Sequence, residues 1–303
     1  MIYTVTFNPA IDYVVRLDAA LTPGMLNRST GEACYFGGKG INVSNVLRVL
    51  GIPTTALGFI AGFTGEGLEK GLKEQGLNTD LIRLEQGMTR INVKVKGTQE
   101  TEINGMGPVI DQKAMAQLYA RLDTLTRNDI LVLSGSIPGC LSADTYEKIM
   151  ARLADKKVSI AVDATGALLL KALPYRPFLI KPNHHELAEL FDMPAETDDQ
   201  IIACARKLRD MGAQNVLVSM AGDGALLVDQ QDNVHRIGCP KGKVVNSVGA
   251  GDSMVAGFLA GWLQTGDYSY ALKLGTAAGS ATAFSMGLAE KSLIDQLLES
   301  ISL

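Results

Sequence analysis

Residues 128–162 read N-D-I-L-V-L-S-G-S-I-P-G-C-L-S-A-D-T-Y-E-K-I-M-A-R-L-A-D-K-K-V-S-I-A-V. Two short apolar runs, 130–133 and 158–162, flank a stretch at 142–154 whose apolar residues recur at helical spacing. The runs do not alternate with polar residues, as expected of parallel strands covered on both faces. Strand, helix, strand is the unit of a parallel α/β sheet, and the rest of the chain repeats it.

Upstream, 2–7 reads as a strand ending at Asn8-Pro9, 41–50 as a helix closed by Gly51, 54–60 as a strand and 66–75 as a helix. A helix at 111–125 precedes the opening stretch; a strand at 178–180, a helix at 198–211 and a strand at 216–218 follow it, and 252–300 is mostly helical by periodicity. The fold class expected is α/β, a doubly wound, mostly parallel sheet flanked by helices. Residues 13–17, 31–36 and 90–96 (R-I-N-V-K-V-K), returning at 101–104, are extended with no helix of their own. They are expected to form a small antiparallel sheet that projects as a lid, made from about 13–36 and 88–106 inserted into a single domain spanning 1–303. The strand at 90–95 is expected to leave an open edge that a second copy would cover.

Composition narrows the function. With 47% hydrophobic and 20% charged residues and a formal net charge of -4, the chain offers no basic surface for nucleic acid or an anionic membrane. Cys34, Cys140, Cys204 and Cys239 form no C-x-x-C pair, and no N-terminal signal pattern or apolar run of spanning length is present. A cytoplasmic protein is the expectation.

Asn246-Ser247-Val248-Gly249-Ala250-Gly251-Asp252-Ser253 runs directly into the apolar segment 254–260. A turn of small residues opening a helix leaves backbone N–H groups free to hold an anion, aided by the helix dipole. Asp252 beside it suits a base that takes a proton from an attacking hydroxyl; an ordinary N-cap acid is the plain alternative. Gly37-Gly38-Lys39-Gly40-Ile41-Asn42 is a second glycine turn into a helix, without the spacing of a Walker loop. Lys181-Pro182-Asn183-His184-His185-Glu186 follows a strand. There Asn183 and Glu186 make either a capping box or a pair able to hold hydrated Mg²⁺ through water. Ser219-Met220-Ala221-Gly222-Asp223-Gly224 reads as a tight turn between strands or as a rest for a nucleotide phosphate. His184-His185 lacks the spacing of two ligands on one helix face.

In their order, Asn8 to Asp12, Gly37 to Asn42, Thr89-Arg90, Thr101 to Asn104, Lys181 to Glu186 and Gly249 to Asp252 resemble the ribokinase-like sugar kinases of the phosphofructokinase B family. The resemblance covers essentially the whole chain. It implies a ribokinase-like α/β domain with a β-sheet lid, and transfer of the γ-phosphoryl of Mg-ATP to a primary alcohol of a sugar phosphate. It further implies that Asp252 is the base and that Gly249, Ala250 and Gly251 form the anion hole. Asp12, Gly37, Gly38, Lys39, Asn42, Arg90 and Asn104 would face the sugar phosphate. Lys181, Asn183, Glu186, Ser219, Gly222 and Gly224 would serve ATP, with Asn183 and Glu186 organising Mg²⁺. A homodimer through the lid is implied, as is a monovalent cation such as K⁺ near Val248 and Ser285-Met286-Gly287. The substrate expected is D-fructose 1-phosphate, phosphorylated on its 6-hydroxyl, with tagatose 6-phosphate and fructose 6-phosphate as alternatives. A sugar-phosphate sensor without catalysis is the non-enzymatic alternative.

Overall fold

The computed structural model describes residues 1–302. Its strands in chain order are β1 (Ile2–Thr6), β2 (Ala10–Arg16), β3 (Gly31–Gly37), β4 (Thr54–Ala61), β5 (Thr79–Leu84), β6 (Arg90–Lys96), β7 (Glu100–Asn104), β8 (Ile130–Ser134), β9 (Ser159–Asp163), β10 (Leu179–Ile180), β11 (Asn215–Ser219), β12 (Ala225–Val228) and β13 (Val234–Ile237). The α-helices are α1 (Lys39–Val49), α2 (Gly62–Glu74), α3 (Gln112–Leu122), α4 (Thr145–Leu153), α5 (Gly166–Ala172), α6 (His184–Phe191), α7 (Asp198–Asp210), α8 (Ala250–Thr265), α9 (Tyr268–Ala283) and α10 (Lys291–Ser300).

Nine strands form the main sheet in the order β13-β12-β11-β10-β9-β8-β1-β4-β5. All neighbours from β5 to β11 pair parallel, and β12 and β13 close one edge as an antiparallel hairpin. β1, β4 and β8 are almost wholly buried because helices cover both faces. One face packs on α3, α4 and α7 through Leu118, Tyr146, Ile149 and Leu208. The other packs on α1, α8 and α9 through Val46, Leu47, Phe258 and Ala278. Strand order reverses at β1, which lies between β8 and β4, so the carboxyl ends of these strands border the crevice where doubly wound sheets bind ligands.

α8 and α9 approach until backbone meets backbone. A Cβ on Gly257 would lie 2.6 Å from the Leu274 carbonyl oxygen, and one on Gly275 2.9 Å from that of Met254. This close packing fixes where the N-terminus of α8 points.

Four strands form the second, small sheet in the order β3-β2-β6-β7. Two expectations are corrected here. The sheet is mixed, not antiparallel, because β2 and β6 run parallel, the chain returning from one to the other through β3, α1, β4, α2 and β5. The 90–95 strand is also internal, flanked by β2 and β7, so the open edges are β3 and β7.

Candidate active site

α1 and α8 converge on the end of β1. Gly38, the N-cap of α1, has φ 130, and a Cβ there would lie 2.5 Å from Thr6 Cγ2, so only glycine lets the helix start against β1. Thr6 Oγ1 accepts a hydrogen bond from Ile41 N at 3.0 Å. α8 begins at Gly249 with φ 83, and Asp252 sits in its first turn, only 5% exposed. Asn42, one turn into α1, donates from Nδ2 to Asp252 Oδ2 at 2.8 Å.

Burial raises the Asp252 carboxyl from its ordinary range to about 7; the nearby Asp163 adds to the rise, while the Asn42 hydrogen bond, Lys39 and Lys181 oppose it. Asp163 ends β9 and is itself buried. Its Oδ2 lies 3.5 Å from Lys39 Nζ and its Oδ1 3.4 Å from Lys181 Nζ, so one carboxylate gathers both ammonium groups. For Lys39, burial works to lower the proton affinity, but Asp163, Asp252 and Glu186 outweigh it and leave the ammonium above its usual value. Lys181 presses on the glycine turn: a Cβ on Gly251 would lie 3.1 Å from its Nζ.

Ten of the expected residues divide among three recesses. Asp12, Gly37 and Asn42 line one under the small sheet, together with Lys94, Asn246 and the segment 286–288. Asn183, Ser219, Gly222, Gly224, Ala250 and Gly251 line a second, of about 360 Å³, walled by Met254, Thr276 and Phe284. Lys39 opens into a third of about 510 Å³, formed by the loop from Gly135 to Gly139 and by Asp163, Thr165 and Lys171. Lys39, Asn42 and Gly251 each line one of the three; Asp252, bonded to Asn42, and Lys181, beside Gly251 and sharing Asp163 with Lys39, link them. Arg90 and Asn104 line none of them: Arg90 Nε donates to the Asn8 carbonyl at 3.1 Å, and Asn104 ends the exposed β7.

Of the two readings of 183–186, the capping box is formed. Asn183 Oδ1 accepts from Glu186 N and Glu186 Oε2 accepts from Asn183 N, each at 2.8 Å, completing a capping box. The second Glu186 oxygen and the Asn183 amide nitrogen stay outside that box. Among the described residues no cluster of three or more His, Cys, Asp or Glu could cage a metal. This donor set fits a hydrated Mg²⁺ carried in on phosphates. Ser219 to Gly224 is the turn between β11 and β12, with Gly224 at φ 91 and no room for a Cβ. Val248 and the 285–287 segment also meet, through Asn246, whose Nδ2 donates to the Met286 carbonyl at 3.2 Å.

Sequence reasoning missed Asp163, the loop 135–139, Lys94 and Asn92. Asp163 carried one signal: an acid closing an apolar run, hence placed at the carboxyl end of a parallel strand.

A helix N-terminus beside a sealed carboxylate, at the switch point of a parallel sheet and ringed by lysines, is the layout of a phosphotransferase. The chain belongs to the pfkB family of carbohydrate kinases, whose model matches residues 3–295. It is 47% identical over 301 residues to a 1-phosphofructokinase of Bacillus subtilis, covering 99% of this chain and 98% of that one. It is 38% identical over 304 residues to a D-tagatose-1-phosphate kinase of Bacillus licheniformis, covering 100% and 99%. Escherichia coli phosphofructokinase-2 in complex with fructose-6-phosphate superposes with a TM-score of 0.91 at 27% identity, covering 99% of this chain and 98% of that one. The same enzyme has been solved in complex with potassium, with equal coverage, identity and TM-score.

Proposed function

We propose that this kinase transfers the γ-phosphoryl group of ATP to the 6-hydroxyl of D-fructose 1-phosphate, giving fructose 1,6-bisphosphate and ADP. The observation that carries the reading is Asp252: a carboxylate sealed from water, with proton affinity near neutrality, at the mouth of an anion-binding helix turn. Its full-length likeness to a 1-phosphofructokinase supports the choice of substrate.

The sugar phosphate lies between the small sheet and α1, with Asp12 accepting from its hydroxyls and its phosphate turned toward Lys39. ATP lies along the β11–β12 turn, with its γ-phosphate at the N–H groups of Gly249 to Gly251 and beside Lys181. Asp252 takes the proton of the 6-hydroxyl as O6 bonds to the γ-phosphorus and the β,γ-bridging oxygen leaves with ADP. Backbone N–H groups and Lys181 face the charge that spreads over the transferring group. Mg²⁺ bound with ATP, near Asn183 and Glu186, would neutralise charge on the β- and γ-phosphates. The small sheet acts as a lid that excludes water from ATP. K⁺ near Val248 and Met286 is the finer assignment for a monovalent cation, supported by the potassium complex of the Escherichia coli enzyme.

A homodimer through the lid is part of the proposal, with the open edges β3 and β7 as its surfaces. β7 is exposed along its length, and its Ile103 is 61% exposed. A cytoplasmic location suits four free cysteines, two of them exposed.

A second reading, D-tagatose 1-phosphate as acceptor, is favoured by the 38% identical relative that bears that name. The two sugars differ only in configuration at C4. A coupled ADP-release assay over fructose 1-phosphate, tagatose 1-phosphate, tagatose 6-phosphate and fructose 6-phosphate tests both readings. The highest kcat/KM is expected for fructose 1-phosphate; a preference for another sugar overturns the substrate assignment, and binding without turnover supports a sensor.

A further inference from the structure

We infer that Asn92 is a positioning residue for sugar recognition: it orients the Asp12 carboxylate and ties that carboxylate to the base of the lid hairpin, where the chain leaves β7. Asn92 is 7% exposed and lies in β6, directly across from Asp12 in β2 and from Asn104 in β7. Its Nδ2 donates to Asp12 Oδ1 at 2.8 Å, and its Oδ1 accepts from Gly105 N at 3.2 Å. The amide orientation is fixed by its partners, since a backbone N–H can only donate and an ionised carboxylate can only accept.

The contact with Gly105 falls where the β6–β7 ladder stops, at the Asn92–Asn104 pair. The next N–H along the chain is taken by a side chain instead of a strand. Gly105 must come close for this: a Cβ on it would lie 2.9 Å from the Ile91 carbonyl oxygen and 3.0 Å from Arg90 Cβ. Met106 then accepts from Asn8 Nδ2 through its carbonyl at 2.9 Å, carrying the hairpin back to the segment that precedes β2. One buried amide thus joins the sugar-facing carboxylate to the returning lid segment.

Charges facing the pair come from two strands, β6 and β7. Lys94 Nζ, in β6, lies 3.6 Å from Asp12 Oδ2 and 3.7 Å from Glu102 Oε1 in β7, while the Arg90 guanidinium feels Asp12 through space. Lys94 supplies charge to Asp12, but a single ammonium does not fix the rotation of a carboxylate. The directional bond from Asn92 does, while the other Asp12 oxygen faces Lys94, and both residues line the recess under the lid.

The inference rests on the sugar-kinase reading, and Asn92→Asp separates the two jobs. The substitution is isosteric and keeps an acceptor for Gly105 N, but turns the donor facing Asp12 into a second carboxylate. Losing a hydrogen bond to a charged group predicts a KM for fructose 1-phosphate raised about tenfold or more at pH 8, with the KM for ATP within about twofold of wild type. Two adjacent carboxylates share a proton as pH falls, so the variant-to-wild-type KM ratio should shrink from pH 8 toward pH 6. Taking the ratio at each pH cancels the titration of Asp252. A thermal melt of the variant within a few degrees of wild type accompanies the expected result. An unchanged sugar KM, a parallel rise in both KM values, or a ratio independent of pH overturns the role of Asn92. Failure of the substrate reading shows separately, as wild-type protein that neither phosphorylates fructose 1-phosphate nor binds it by calorimetry.

Discussion

Asn42 and Asp252 lie 210 positions apart in the chain and meet through a 2.8 Å hydrogen bond from the Asn42 amide to the Asp252 carboxylate. The bond joins the starts of α1 and α8, the two helices that border the switch point. It also favours the ionised form of a carboxyl group that burial drives toward neutrality. Replacing Asn42 by Leu removes that support. The acid limb of the kcat profile should then move to higher pH by roughly one unit, read from initial rates between pH 5 and 9 at saturating substrates.

Asp163 and the lysines act on Asp252 with opposite signs. Asp163 raises its proton affinity and Lys181 lowers it. Asp163→Asn should therefore move the acid limb to lower pH, and Lys181→Met should move it to higher pH. Both variants should lose turnover, since Asp163 holds Lys39 and Lys181 in place. The divergence of the two profiles is the signature to measure.

Stability should show the same carboxyl. Its affinity in the folded protein, about 7, lies above its unfolded value of 3.8, so the native state keeps the proton to higher pH. The protonated, buried carboxyl is comfortable at low pH, and its contribution is lost as pH rises toward 7 and stays lost above. Asp252→Asn removes a charge that is costly only when ionised. The variant should melt several degrees above wild type at pH 8, with the gap closing toward pH 4, as followed by calorimetry.

Gly251 faces Lys181 at a distance that leaves no slack for a methyl group. Alanine is a good helix former at this first-turn position, and the atom in its way is the end of a flexible side chain. Gly251→Ala should leave the melting temperature within a few degrees of wild type. It should lower kcat by about tenfold or more, because the displaced ammonium no longer faces the transferring phosphoryl group.

The main sheet was legible because its central strands are buried on both faces and read as unbroken apolar runs between amphipathic helices. β5 and β13 were not read: both are edge strands, and Asp80, Arg83, His235 and Arg236 interrupt their apolar pattern. The short α5 follows β9 so closely that no periodicity develops. In the small sheet the extended segments were visible, but the parallel register of β2 on β6 depends on a return through five other elements. That register hid Asn92 and Lys94, which in sequence are alternating polar positions of an exposed strand and in the fold face Asp12. Glycine turns announced Gly38 and Gly249, whereas Asp163 had meaning only once three chain segments had been brought together around it.

Turnover by Asp252→Asn, with fructose 1-phosphate and Mg-ATP at saturation and the product identified by ³¹P NMR, tests the account most directly. Wild-type protein should yield fructose 1,6-bisphosphate, and the variant should lose a factor of about 10² to 10⁴ in kcat while its calorimetric affinity for ATP stays near wild type. A variant that makes the bisphosphate at a rate close to wild type would contradict the assignment of Asp252 as the base.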